Sequence, residues 1–125
     1  MGSKISGGVL LLRVLYSFEL PKTVKVGKNV IFEHRGLGTV INVNSEIGDN
    51  SIIQHHVTIG LKEYRGQKNS KAPKIGKNVK IGAYATILGD ITIGDNVVIG
   101  ANTLVLQDIE PNTIVVSENK LKKIN

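Results

Sequence analysis

Isoleucine returns every six residues at Ile75, Ile81, Ile87, Ile93 and Ile99, and Val105 takes the next place. Upstream, Ile41, Ile47, Ile53 and Ile59 keep the same spacing, and Val26 and Phe32 extend it. An α-helix repeats its apolar face at 3.6 residues and a half-buried strand at two, so neither gives this pattern. A fixed short repeat is the signature of a solenoid, here a parallel β-helix built from hexapeptides. Each hexapeptide forms one short flat side, and three sides close a triangular coil of about 18 residues. One aliphatic side chain per side points inward and stacks on its equivalent in the next coil. The twelve positions named above predict about four coils, each rising by about 4.8 Å. A β-sandwich would instead space its strands by about 8–12 residues.

The corners agree with this reading. Gly-Lys-Asn at 27–29 and 76–78, Gly-Asp-Asn at 48–50 and 94–96, and Gly-Ala-Asn at 100–102 each follow a repeat position. Gly and Asn tolerate left-handed backbone angles, which tight corners require. Two places break the period. Phe32 to Ile41 spans nine residues, so about three bulge at His34–Gly38. Ile59 to Ile75 spans 16, which sends "KEYRGQKNSKAPK" (62–74) out of the prism as an extended loop. Insertions in a solenoid collect on one face, often the binding face, so both breaks are candidate functional elements; a tolerated surface loop is the plainer reading of the second.

At 125 residues the chain makes one domain. The expected organisation is an N-terminal cap over 1–18, a β-helical prism over 19–116 that includes the extended loop 62–74, and a basic C-terminal tail over 117–125. No cysteine is present, which excludes disulfides, thiolate metal sites and a cysteine nucleophile. A net charge of +6 suits an anionic partner such as nucleic acid, a membrane surface or a phosphorylated co-substrate. With three Tyr and two Phe as the only aromatic residues, platforms for stacked bases are scarce, which argues against nucleic acid. The apolar stretch from Val9 to Phe18 is interrupted by Arg13 and too short to span a bilayer. No transmembrane segment and a cytoplasmic location are expected.

"FEHRGLG" (32–38) raises the chemical question, because a carboxylate and a histidine meet at the first break. Together with "FELPKTVKVGKNVIFEH" (18–34), "SIIQHHVTIG" (51–60) and "APKIGKNVKIGAYATILGDITIGDNVVIGANTLVLQDIEPNTIVV" (72–116), it resembles the serine acetyltransferase branch of the hexapeptide acyltransferases. The resemblance runs over about residues 18–124. It implies a left-handed parallel β-helix, acetyl-CoA as co-substrate, and a homotrimer with acetyl-CoA held between neighbouring prisms. Carried over residue by residue, it implies His34 as catalytic base and Glu19 as the carboxylate orienting it. Glu33 then falls on the substrate side with Lys71, and of the adjacent pair His55 and His56 one is expected to face the groove, His55 being taken as the substrate-side residue. Gly60, Ala83 and Ala101 fall along the acetyl-CoA groove, with Lys120 available to its phosphates. One departure stands out: where the family carries an Arg-His pair before "PKI", this chain has Lys71-Ala72. Serine as acceptor is weakened by that change, and a sugar or polysaccharide-precursor hydroxyl becomes the leading expectation.

Other readings are weighed against this. A zinc site would use His34, His55 and His56, but the last two are adjacent and neighbouring strand residues point to opposite faces; no metal is expected. A prism that binds without turnover would need no carboxylate–histidine pair at its break. From histidine alone, a residue that only caps the bulge is the simpler explanation of His34. The carboxylates, the broken period and the resemblance together favour an acetyl-CoA-dependent O-acetyltransferase, with serine O-acetylation or a non-catalytic scaffold as alternatives.

Overall fold

The computed structural model describes residues 5–62 and 71–124, with the side chains of 5–9 and 12 outside that description. Among these residues, thirteen short strands form three parallel sheets, one on each side of a triangular prism. The first side stacks β1 (Lys25–Val26), β4 (Glu46–Ile47), β7 (Lys74–Ile75) and β10 (Thr92–Ile93). The second stacks β2 (Ile31–Phe32), β5 (Ile52–Ile53), β8 (Lys80–Ile81), β11 (Val98–Ile99) and β13 (Ile114–Val115). The third stacks β3 (Val40–Ile41), β6 (Thr58–Gly60), β9 (Thr86–Leu88) and β12 (Leu104–Val105). The register pairs like with like: Ile47 with Ile75, Ile53 with Ile81, Ile59 with Ile87. After Val105 the spacing shortens, and Ile93 pairs with Ile109 rather than with a residue 18 further on.

The repeat isoleucines fill the prism. Ile53, Ile59, Ile87 and Ile93 are fully buried, and each such side chain contributes about 1.5–3 kcal/mol. The structure adds a second inward residue per side that the six-residue reading did not include. It lies two positions before the repeat residue and is usually small, as at Thr39, Ser45, Ser51, Val57, Val79, Ala85 and Val97, with the buried Ile91 before Ile93 an exception. Where it is polar it can serve the backbone. Ser51 Oγ donates to the carbonyl of Gly76 at 3.1 Å and accepts from the Val79 N–H at 3.2 Å.

The corner between the first and second sides is uniform. Asn29, Asn50, Asn78, Asn96 and Asn112 all stand there with φ between 55 and 62°. The asparagine, not the glycine, therefore carries the left-handed angle. The preceding glycine answers a packing need, since a Cβ on Gly48 would lie 2.4 Å from the Gly76 carbonyl oxygen. Asn29 Nδ2 donates to Asn50 Oδ1 (3.3 Å), and Asn96 Nδ2 to Asn112 Oδ1 (3.1 Å).

Helix α1 (Ile5–Tyr16) precedes the prism. Arg13 in its last turn suits the negative end of the helix dipole. Ser17, with φ 52°, ends the helix, and Phe18 and Leu20 then enter the core. Phe18 packs against Phe32 at 5.0 Å between ring centroids. Leu10, Leu11, Val14 and Leu15 of α1 remain exposed. Among the described residues no helix is long and apolar enough to cross a membrane. Residues 63–70, most of the expected 62–74 loop, lie outside the described residues.

Candidate active site

The corner between the second and third sides is built from the same coils but filled differently. Its first coil is the bulge. Residues Glu33–Gly36 form a tight turn in which His34 (φ 53°) and Arg35 (φ 57°) are both left-handed. Two glycines allow the bulge to close. At Gly36 (φ 71°) a Cβ would sit 2.3 Å from the Phe18 ring, and at Gly38 (φ 68°) it would sit 2.1 Å from His56 Nδ1. Both positions need left-handed backbone and no side chain. The bends in "FEHRGLG" thus follow from the rings packed beneath them.

The next coils add Gln54-His55-His56, then Gly82-Ala83-Tyr84, then Gly100-Ala101-Asn102. His34 and His55 rings meet edge to face at 4.8 Å. His55 lies 5.6 Å from Tyr84, also edge to face, while His56 and Tyr84 stack at 4.7 Å and 11° between planes. His55 Nδ1 is buried without a hydrogen-bond partner among the described residues. Such an atom costs free energy until something bonds it.

Beside this ridge runs a groove of about 410 Å³, lined by Glu33, Gln54, Lys80, Gly82, Val98 and Ala101 among others. Gln54 ties three coils together there. Its Oε1 accepts from the Ala83 N–H at 3.0 Å, which fixes the amide so that Nε2 donates to Glu33 Oε2, also at 3.0 Å. One acceptor oxygen of Glu33 is left for another donor.

The fold therefore brings His34, Glu33, His55, Ala83 and Ala101 to one corner. It does not bring all the expected residues there. Glu19 pairs its backbone with Val40 beside the third side. Its carboxylate reaches Arg13 at 3.1 Å rather than His34. Gly60 ends β6 at the far edge of that side. Lys71 lines a separate hollow with Ala72, Lys74 and Asp90, its Nζ 3.9 Å from the Asp90 carboxylate. Lys120 is exposed in the segment after β13. The opposite-face argument for His55 and His56 does not apply, because both are corner residues with rings 5.7 Å apart. Among the described residues no group of three His, Cys, Asp or Glu is placed to hold a metal ion.

Gln54, Tyr84 and Arg35 were not singled out by sequence. A signal for Tyr84 was present. "GAY" (82–84) occupies the place that "GAN" (100–102) occupies one coil later, so an aromatic replaces the usual asparagine.

Comparison with known proteins matches residues 72–107 to the bacterial transferase hexapeptide (six repeats) family. The putative colanic acid biosynthesis acetyltransferase WcaB of Escherichia coli (strain K12) is 38% identical over 115 residues, covering 92% of this chain and 68% of the relative. The chain belongs to the hexapeptide-repeat acetyltransferases.

A probable serine acetyltransferase 1 of Oryza sativa subsp. japonica is 44% identical over 103 residues, 82% of this chain and 33% of the relative. Among solved structures, serine acetyltransferase isoform 3 of Entamoeba histolytica in complex with cysteine superposes with a TM-score of 0.82 at 31% identity. That match covers 94% of this chain and 41% of the other. Soybean serine acetyltransferase complexed with serine gives 0.79 at 35% identity, over 88% and 44% of the two chains. This hexapeptide acetyltransferase thus spans about two thirds of WcaB and less than half of these serine acetyltransferases. Its fold is the left-handed parallel β-helix expected from the repeat and the resemblance.

Proposed function

We propose that the chain transfers an acetyl group from acetyl-CoA to a hydroxyl of a sugar or polysaccharide precursor, with His34 as general base. The observation that carries this reading is the exposed His34, held in a left-handed turn beside a groove that contains a carboxylate. An imidazole nitrogen takes the acceptor's hydroxyl proton as the oxygen attacks the thioester carbonyl carbon. The carbon–sulfur bond breaks, and the CoA sulfur leaves with a proton returned from the imidazolium. With no cysteine in the chain, direct transfer within a ternary complex is the simpler route. Glu33 accepts a hydrogen bond from a neighbouring acceptor hydroxyl, and His55 Nδ1 gains its missing partner there. Ala83 and Ala101 border the pantetheine arm, and Gly60, Lys80 and Lys120 lie along the remainder of the co-substrate. The Ala83 N–H is already bonded to Gln54, so at that coil the arm meets carbonyl and methyl surface.

Glu19 orients His34 only after leaving Arg13. Both side chains of that pair are about half exposed, and such pairs are worth about 0–1 kcal/mol, so the exchange is inexpensive. The active assembly is a homotrimer. His34 and Lys71 occupy different corners of one prism and act on one acceptor only if they come from adjacent chains. Outward apolar residues on the second and third sides, Ile31, Val98, Ile114, Val40 and Leu104, give such an assembly surface to bury.

Release of CoA measured with methyl pyranosides, an amino sugar and serine tests the acceptor, and sedimentation tests the trimer. Sugar hydroxyls are expected to exceed serine by at least about tenfold in kcat/KM, because the Ala72 side chain offers a substrate carboxylate no hydrogen bond. Efficient turnover of serine, at about 10⁴ M⁻¹s⁻¹ or more, would reverse that assignment. An active monomer would remove the shared site.

A further inference from the structure

We propose that Tyr84, backed by His56, is an aromatic platform on which the C–H face of a pyranose acceptor lies. The inference deepens the reading above, since it names how a sugar ring is held next to His34. Three independent features support it. Tyr84 is 53% exposed although it sits within the corner that carries the candidate base. Its φ is 63°, a region in which a bulky side chain is a genuine outlier and which persists when something requires it. Its ring lies flat on His56 at 4.7 Å, and His56 is in turn blocked from below by Gly38, so the platform cannot sink.

Asn102 occupies the corresponding place one coil further on, its N–H donating to the Ala83 carbonyl at 2.9 Å. An asparagine is shorter than a tyrosine, so the outer part of the ring face toward that coil stays open. The face of an aromatic ring is apolar and carries negative quadrupole density. Its complement is the polarised C–H face of a pyranose, with ring hydroxyls projecting at the edges. An acyclic acceptor such as serine has no such face. His55 touches both the platform and His34 edge to face, which places the two one ring apart.

The variant that isolates the platform is Tyr84→Asn, the residue the prism uses in this backbone position elsewhere. It removes the ring and relieves the left-handed strain together. KM for methyl β-D-galactopyranoside and for methyl β-D-glucopyranoside should rise about tenfold, the effect of one lost stacking contact. KM for acetyl-CoA and sedimentation should stay unchanged, and Tm should hold or rise. Tyr84→Phe should keep the pyranoside KM. In wild type labelled on tyrosine rings, the Tyr84 signal should shift on titration with either pyranoside without acetyl-CoA. A Tyr84→Asn enzyme with normal pyranoside KM would overturn the platform and leave the acetyltransferase reading intact. A raised KM for acetyl-CoA alone would assign the ring to the co-substrate, and dissociation of the assembly would assign it to a subunit contact; both overturn the proposal. If no pyranoside is acetylated while serine is, the sugar reading fails and the platform with it.

Discussion

Two corners of the prism repeat the same left-handed angle and fill it with opposite contents. At the corner between the first and second sides, five asparagines repeat the left-handed residue from coil to coil. At the next corner that angle belongs to His34 and Arg35, His56, Tyr84 and only then Asn102. Left-handed geometry costs about 1–2 kcal/mol per ordinary residue and less for asparagine, whose side chain bonds locally. The first corner takes the inexpensive solution every time. The second takes the costly one in the three coils where rings cluster, and returns to asparagine in the coil beyond them. Costly residues confined to one corner of a regular solenoid are the pattern expected where a site, rather than the fold, sets the side chain.

The sharpest way to break this contrast is His34→Asn. Asparagine suits the turn's backbone, so the prism and acetyl-CoA affinity should be retained while kcat falls by about 10²-fold or more. Single-turnover rates with separately measured acetyl-CoA binding would check it. Near-normal turnover would make His34 a bulge residue and the two corners equivalent. Gln54→Met comes next. It removes the bond that aims Glu33 and frees the Ala83 N–H, with one hydrogen bond to a charged group worth about 1.5–3 kcal/mol. A loss of at least about tenfold in kcat/KM for the acceptor is expected, along with a Tm lowered by about 5 °C or more.

Much of this contrast was legible in the sequence, and for definite reasons. The period survives because every coil must place an aliphatic residue against the one above it, so Ile47, Ile75 and Ile93 cannot drift out of phase. The breaks are equally visible, since a bulge must interrupt that count. His34 and Glu33 were singled out because they lie in such a break. Gln54 was not, because its role depends on a register 21 residues back to Glu33 and 29 residues forward to Ala83. The second inward position was missed because its occupants, Thr39, Ser51, Val57 and Ala85, share size rather than hydrophobicity. Glu19 illustrates the reverse case: the chain places a carboxylate at the expected position, and a neighbouring helix supplies Arg13 to hold it.

That ion pair gives a smaller effect. Glu19→Gln should lower kcat several-fold, by about 1 kcal/mol, whereas Arg13→Ala should leave kcat unchanged or slightly raised by freeing Glu19. Equal losses in both variants, measured at saturating acceptor, would mean that the pair only fastens α1 to the prism.

The smallest effect is expected at the corner without chemistry. Asn50→Ala keeps the prism's core untouched but places an alanine at φ 62° and deletes the acceptor for Asn29 Nδ2. The strain is about 1 kcal/mol, and an exposed amide–amide bond adds about 0.5 kcal/mol. For a chain of this size that lowers Tm by about 3–6 °C. Among the described residues the hydrogen bonds of Asn50 run to Lys28 and Asn29 and to none of the rings, carboxylates or groove residues of the other corner, so kcat and both KM values should match wild type. A purely thermal phenotype would show that the two corners share geometry and nothing else. If turnover fell as well, with the assembly intact by sedimentation, the asparagine ladder would be transmitting its register across the second side to Gln54 and His55, and the division between an inert and a working corner would fail.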